Sequence, residues 1–230
     1  MPYAFLPEVA RPAVTVDMLV FTLHDGALAL LLVERGLLPF KGRLALPGGF
    51  LHVGEGGQDG EALDDAAARE LLEETGLGRA QVTLGQLGAF GAPGRDPRGR
   101  TITVAYFALV RPEAARAVRA GSDAAAARWL PVAGIDLDAL AFDHGRIITA
   151  ALARLRSDVD RAGAALALVP ETFTVRELRE VHEAIHGTRL DAANFNRHLR
   201  RLMDECAIEP VAARRATGKR PARLFRVVAR

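Results

Sequence analysis

One cysteine, Cys206, stands in a chain of 230 residues. That scarcity excludes an intrachain disulfide and a thiolate metal cluster. The chain holds six histidines, and a histidine-based zinc site is not expected either. Long apolar runs are missing as well. Stretches such as Ala27 to Val33 fall far short of the roughly 20 residues that a membrane-spanning helix needs. The first residues, Met1 to Glu8, carry neither the basic start nor the continuous apolar stretch of a secretory signal. The cytoplasm is therefore the expected compartment, with no membrane partner. What the chain does have is a half-hydrophobic composition with 30 basic and 28 acidic residues, which excludes a disordered polyelectrolyte. Its length suits one large domain or two modest ones.

Charge is distributed unevenly. From Arg161 to Arg230 there are 14 Lys and Arg against 8 Asp and Glu, a net of +6, which leaves −4 for the residues before 161. Clustered Arg and Lys release counterions from a phosphate backbone, so the small basic part is expected to meet a polyanion. A solvated, Arg-rich surface accounts for the same count.

Two apolar, β-branched runs, Ala13 to Thr22 and Ala27 to Val33, are split by His24-Asp25-Gly26 and predict a hairpin. A short segment, Gly42 to Phe50, ends in the Pro47-Gly48-Gly49 breaker and leads to a Gly-rich loop from Gly54 to Gly60. Helical periodicity runs from Glu61 to Thr75 and stops at Gly76. Strands are expected at Gln81 to Leu84, Thr101 to Val110 and Ala127 to Leu130, and a mostly helical stretch at Asp143 to Leu166. Beyond it, Thr174 with Glu177 forms a capping box for a helix ending at Gly187. Asp191 caps a second helix to about Glu205, and strands at Ala207 to Ala213 and Pro221 to Val228 flank a basic loop. That order is that of a winged helix-turn-helix. The fold class is α+β: residues 1–160 form a mixed-sheet sandwich with a closing helix, and residues 161–230 form the winged helix.

The most specific string is Arg69-Glu70-Leu71-Leu72-Glu73-Glu74-Thr75-Gly76-Leu77. On a helix, Glu70, Glu73 and Glu74 project from one face. Three clustered carboxylates repel one another unless a cation sits among them, and hard Mg²⁺ or Mn²⁺ takes carboxylate and carbonyl oxygens. The Gly48 carbonyl reaches such a metal from the strand side, and Arg69 holds one carboxylate in register. An ordinary solvated acidic face is the plainer alternative for the bare string. Arg95, Arg98 and Arg100 in the loop from Gly91 suit a pyrophosphate clamp, since guanidinium forks match phosphate oxygens; a polar hairpin loop is the alternative. Arg43, Arg95, Arg98 and Tyr106 are the candidate substrate contacts. Tyr106 and Phe107 alternate on one strand, so one is directed to the core and the other to a base, although core packing suits either.

Gly49, a downstream glutamate and the Arg69 to Leu77 string together resemble the Nudix box. The resemblance implies an α/β/α sandwich, Mg²⁺ dependence and cleavage of nucleoside diphosphate derivatives. Carried over by position, it makes Glu70, Glu73, Glu74 and the Gly48 carbonyl the metal set, with Arg69 orienting Glu73. The box spacing departs from the family pattern. Counted from Gly49 the box glutamate is Glu55, counted back from Arg69 it is Glu61, and Gly56 to Glu61 acts as a six-residue insertion.

In the basic part, Asn194, Asn196, Arg197, Arg200 and Arg201 share the second helix, with Phe195 and Leu199 on its apolar stripe. Asn pairs with adenine and Arg with guanine in a major groove, and other arginines hold phosphates. Arg214 to Arg220, including Lys219 and Arg220, forms the expected wing tip. His182, His186 and His198 are expected on helix surfaces. The stretches Phe142 to His144, Phe173 to Leu178, Asn194 to Arg197 and Arg220 to Arg226 resemble the Nudix-related transcriptional regulators of NAD metabolism, the NrtR family. That resemblance implies a homodimer whose Nudix domain binds ADP-ribose and whose winged helix binds operator DNA in response. Three readings stay open: a regulator that also hydrolyses ADP-ribose, a sensor without catalysis, and an ADP-ribose pyrophosphatase whose tail only mediates dimerisation.

Overall fold

The Asp25-Gly26 pair turns the chain with both residues at positive φ, 49° and 77°, the geometry of a type I′ hairpin. It joins β1 (Ala13–His24) to β2 (Ala27–Arg35). The computed structural model describes residues 11–54, 60–118, 124–159, 164–216 and 221–228. After the hairpin come β3 (Leu44–Ala45), β4 (Gly48–Phe50), α1 (Leu63–Thr75), β5 (Val82–Phe90), β6 (Thr101–Val110) and α2 (Pro112–Ala115). Then follow β7 (Ala124–Pro131), α3 (His144–Val159) and α4 (Ala164–Leu168). The chain continues through β8 (Thr172–Phe173), α5 (Val175–His186), α6 (Ala192–Asp204), β9 (Ile208–Arg215) and β10 (Ala222–Val227).

Seven strands form one mixed sheet. The path is β3-β2-β1-β6-β5, with β4 paired to β1 and β7 to β2, and the central β1–β6 pair is parallel. Because β1 is covered on both sides, its sequence reads as a continuous apolar run. Val16, Met18 and Val20 face α1 with Ala66, Ala67 and Leu71, whereas Leu19 and Phe21 join α3 on the opposite face. The helix-on-each-face sandwich thus follows from alternation along one strand. Tyr106 packs on the α1 side of this core.

The mostly helical stretch expected from Asp143 to Leu166 contains α3 and α4, and the expected boundary at 160/161 lies outside the described residues. A third strand, β8, extends the winged helix: Phe173 pairs with Phe225 and Thr172 with Arg226. α4 and α5 pack against β6 and β2, so Leu19, Leu30, Ile148, Leu168, Phe173 and Phe195 belong to one buried cluster. Arg111, just past β6, adds polar clasps by donating to the carbonyls of Val169 at 2.9 Å and Pro170 at 3.1 Å. No helix among the described residues is long and apolar enough to cross a membrane.

Candidate functional site

Helix α1 starts without a side-chain cap and ends on Gly76 in the left-handed region at φ 73°, where glycine costs least. Its outward turn carries the acidic string. Arg69 is the hub. Its Nε and Nη2 donate to the two oxygens of Glu61 at 2.9 and 2.6 Å, and Nη1 donates to Glu70 at 2.8 Å and Glu73 at 3.1 Å. Nη2 also reaches the Phe50 carbonyl at 3.2 Å. Such a fork binds both carboxylate oxygens at once. The Arg69 bonds and, less, the His52 amide hold the Glu61 carboxyl well below its ordinary value, at about 2. The same carboxylates, Glu61 first, push the Arg69 guanidinium upward.

Of the two candidate box glutamates, Glu61 is the one bound to Arg69, and Glu55 lies outside the described residues. His52 and Glu61 face each other across the base of the Gly-rich loop. The His52 amide donates to Glu61 Oε1 at 2.8 Å, and the Glu61 amide donates to the His52 carbonyl at 3.0 Å.

Glu70 is buried. Desolvation raises its carboxyl pKa and the Arg69 bond opposes this. The Gly49 backbone lies so near that a Cβ there would stand 2.2 Å from Glu70 Oε1. Gly48, at φ 152°, has no room for a side chain either: its Cβ would stand 2.1 Å from the Val16 carbonyl oxygen. The Gly48 amide donates to Glu74 Oε2 at 2.9 Å. What the structure records for Gly48 is therefore a hydrogen bond from its amide N–H to the Glu74 carboxylate. Glu73 is the most open of the three, with its side chain 57% exposed.

The expected metal set is not gathered here. Among the described residues no three His, Cys, Asp or Glu side chains converge as a ready metal cage. The reason is local: Arg69 draws Glu70 and Glu73 onto its own guanidinium, and Gly48 holds Glu74. The donor chemistry nonetheless fits a hard divalent cation, because Glu70, Glu73 and Glu74 offer three carboxylates within about one turn of α1.

The candidate substrate contacts separate. Arg95 is buried, its side chain 4% exposed, and it donates to Asp143 at 2.8 Å and to Asp17 at 3.3 Å. It is an internal ion pair, and its expected place in an open clamp is corrected. Tyr106 is corrected as well: it is buried under α1 and its hydroxyl donates to Asp64 at 2.7 Å. Burial and that carboxylate raise its pKa. Arg43 is exposed near the Phe40 ring. Arg98 remains at the surface, held by Asp96 at 2.7 Å, with its guanidinium 5.2 Å from the Phe50 ring and 5.4 Å from the Phe142 ring.

Sequence reading missed a buried polar cluster. Asp17 on β1, Arg95 in the β5–β6 loop, and Asp143 and His144 at the head of α3 come together, and the Leu46 amide donates to His144 Nδ1 at 2.8 Å. Burial lowers the His144 pKa, consistent with a neutral ring whose Nδ1 accepts. Arg35, which lies 4.7 Å from the Phe142 ring, was missed too. The only local signal was a basic residue ending an apolar run, which is commonplace.

In the winged helix, α6 buries Phe195, Leu199 and Leu202 and exposes Asn194, Asn196, Arg197, Arg200 and Arg201. Asp191 caps it by accepting from the Asn194 amide at 2.9 Å. Arg197 donates to Asn194, and Arg201 lies 2.9 Å from His198 Nδ1. His182, expected on a surface, is buried edge-on against Phe195 and His198, because it lies on the α5 face that meets α6. Lys219 and Arg220 lie outside the described residues.

Residues 11–151 match the model of the NUDIX domain, and residues 165–227 match that of the NrtR DNA-binding winged helix domain. The chain is 35% identical over 229 residues to the ADPR responsive transcriptional repressor NtrR of Acinetobacter baylyi, covering 97% of this chain and 87% of that one. It is 38% identical over 138 residues to an ADP-ribose pyrophosphatase of Methanocaldococcus jannaschii, covering 60% of this chain and 72% of the relative. The crystal structure of Shewanella oneidensis NrtR complexed with a 27mer DNA superposes with a TM-score of 0.74 at 33% identity, over 94% of this chain and 93% of that one. Nudix hydrolases generally use divalent metal ions such as Mg²⁺. With the box helix built on Arg69, the exposed Asn and Arg face of α6, and these matches over almost its whole length, the chain belongs to the Nudix family and carries the NrtR type of winged helix behind its Nudix domain.

Proposed function

We propose that this protein is a cytoplasmic, homodimeric DNA-binding repressor whose Nudix domain binds ADP-ribose. The observation that carries the reading is the shared core: α4 and α5, at the base of the winged helix, pack on β6 and β2 of the nucleotide-type sheet. A ligand that favours one arrangement of the Nudix domain therefore has a packed route to the DNA-reading helix, as differential affinity requires. The names of the Acinetobacter and Shewanella relatives support both the ligand and the DNA.

On α6, Asn194 and Asn196 are assigned to base edges and Arg197, Arg200 and Arg201 to bases or phosphates. Lys219 and Arg220 are assigned to the backbone beside the wing. Two such helices in a dimer read a palindrome.

A second reading, hydrolysis of ADP-ribose to AMP and ribose 5-phosphate, is favoured by the intact acidic turn. Glu70, Glu73, Glu74 and the Gly48 carbonyl are the oxygens that would hold Mg²⁺, and the cation would offset the charge of the pyrophosphate. The chain's own part is positional. Glu61 locks Arg69, Arg69 locks Glu70 and Glu73, and the Gly48 amide fixes Glu74.

One experiment tests both readings. Gel shifts on palindromic DNA, with and without ADP-ribose and across a salt series, are read beside AMP production with and without Mg²⁺. Sequence-preferring binding that changes with ADP-ribose is expected. DNA binding indifferent to sequence and ligand sinks the regulatory reading. Turnover that needs Mg²⁺ and is lost in Glu73→Gln supports hydrolysis, and ligand binding without turnover restricts the Nudix domain to sensing.

A further inference from the structure

Where the second half of α3 meets α5, the structure leaves a cavity of about 430 Å³. Its other walls are the β1–β2 turn, the chain at the end of β7 and the turn that follows α5. The Nudix domain and the winged helix thus line one space together. That space is separate from the acidic turn, because α1 packs on one face of the sheet and α3 on the other. At the helical rise, Leu152 and Arg156 also stand roughly 12 and 18 Å along α3 from His144.

The floor is apolar. Leu28, Val132, Leu152 and Ile185 line it, and Leu28 and Ile185 are buried members of the shared core. The rim is charged, and its charges are not equally committed. Glu180 is bound by Arg176 at 2.7 Å, and Glu183 accepts from the Leu190 amide at 2.9 Å with Arg179 at 3.3 Å. The two acids are therefore offset by arginines of their own helix. Arg156 spends its Nε on the Ile185 carbonyl at 3.2 Å, and Arg189 lies two residues past the left-handed cap at Gly187. Among the described residues neither guanidinium is paired with a carboxylate.

Two uncommitted cations above an apolar floor select one kind of small molecule. A guanidinium fork takes both oxygens of a carboxylate, and the floor removes a ring or alkyl chain from water. A bare phosphate satisfies the rim and leaves the floor wet; a neutral apolar molecule does the reverse. The volume is that of a small-ligand site. We propose that this cavity is a second ligand site, separate from the Nudix pocket, for a small carboxylic acid with an apolar body, its carboxylate held by Arg156 and Arg189. The site goes beyond the ADP-ribose reading and does not depend on it. An occupant touches both domains, so it favours this arrangement of them over any in which the cavity is lost.

Calorimetric titrations of benzoate, its neutral counterpart benzamide and inorganic phosphate into the full chain test the site, with Arg156→Gln and Arg189→Gln beside the unaltered protein. Salt at about 0.15 M screens loose attraction to the exposed arginines of α6. Benzoate is expected to bind at least about tenfold more tightly than benzamide or phosphate, and each Gln variant to weaken it by roughly tenfold. Benzoate is also expected to bind with ADP-ribose present at saturation. Absence of benzoate binding overturns the proposal, as does equal binding of benzamide or phosphate, or undiminished benzoate affinity in both variants. Benzoate that ADP-ribose displaces and both variants retain lies in the Nudix pocket, which overturns it too. If Arg156→Gln does not fold, as judged by its melting curve, Arg189→Gln decides, since Arg189 is exposed.

Discussion

Arg69 touches three carboxylates and one backbone carbonyl, and the pH response of the box follows from its main partner. Glu61 titrates at about 2 against an ordinary 4.5 because of Arg69. Its folded value is depressed, so its stabilisation is fully present above about pH 4.5 and fades as pH falls toward 2. Urea melts at pH 5 and pH 3 are expected to show Glu61→Gln losing about 1–2 kcal/mol at the higher pH and less at the lower. The two glycines of β4 are expected to respond differently to alanine. At Gly48 the obstructing atom is the Val16 carbonyl in the backbone, so Gly48→Ala should cost about 1–3 kcal/mol of stability. At Gly49 the obstructing atom is the Glu70 carboxylate at the end of a side chain, which can swing away at the expense of its Arg69 bond. Gly49→Ala should therefore melt near the unaltered protein while any ADP-ribose turnover falls by about a hundredfold or more. Paired melting and AMP assays check this contrast.

At the scale of elements, Arg95 joins β1, the β5–β6 loop and the head of α3 through Asp17 and Asp143. Removing it leaves two nearly buried carboxylates without that cation. Arg95→Ala is expected to cost about 3–5 kcal/mol, read by denaturant unfolding, and to exceed the cost at exposed Arg43. In α5, the Thr174 amide donates to Glu177 at 2.7 Å and the Glu177 amide donates back to Thr174 at 3.2 Å. Arg215 on β9 binds the other Glu177 oxygen at 2.6 Å. The capping box was legible as Thr174 followed three residues later by Glu177, whereas the Arg215 contact was not, because it depends on how β9 returns over the helix. Gly76 and Gly187 likewise announced the ends of α1 and α5, and both adopt the left-handed cap, at φ 73° and 71°.

For the whole molecule, the buried cluster running from Leu19 through Leu168 to Phe225 makes the two parts one packing unit. Leu168 is fully buried on α4. Leu168→Ala is expected to cost about 2–5 kcal/mol, and in scanning calorimetry to lower one shared transition. Two separate transitions, with only the smaller one moved, would contradict a common core. The charge asymmetry fits this arrangement, because the exposed arginines of α6 stand on the opposite face of that helix from Phe195, Leu199 and Leu202.

The sequence by itself determined what local spacing controls: the Asp-Gly hairpin, the helix bearing Glu70, Glu73 and Glu74 on one side, the caps of α5 and α6, and the order of the winged helix. Those features arise from contacts a few residues apart. Tertiary structure decided what depends on distant residues meeting. It chose Glu61 as the partner of Arg69, sent Arg95 inward to Asp17 and Asp143, 78 and 48 positions away, and buried Tyr106 beneath α1. It also brought Arg35 and Arg98 to the same Phe142 ring. A charged side chain pairs with whichever partner the fold carries to it, and no local pattern encodes that meeting.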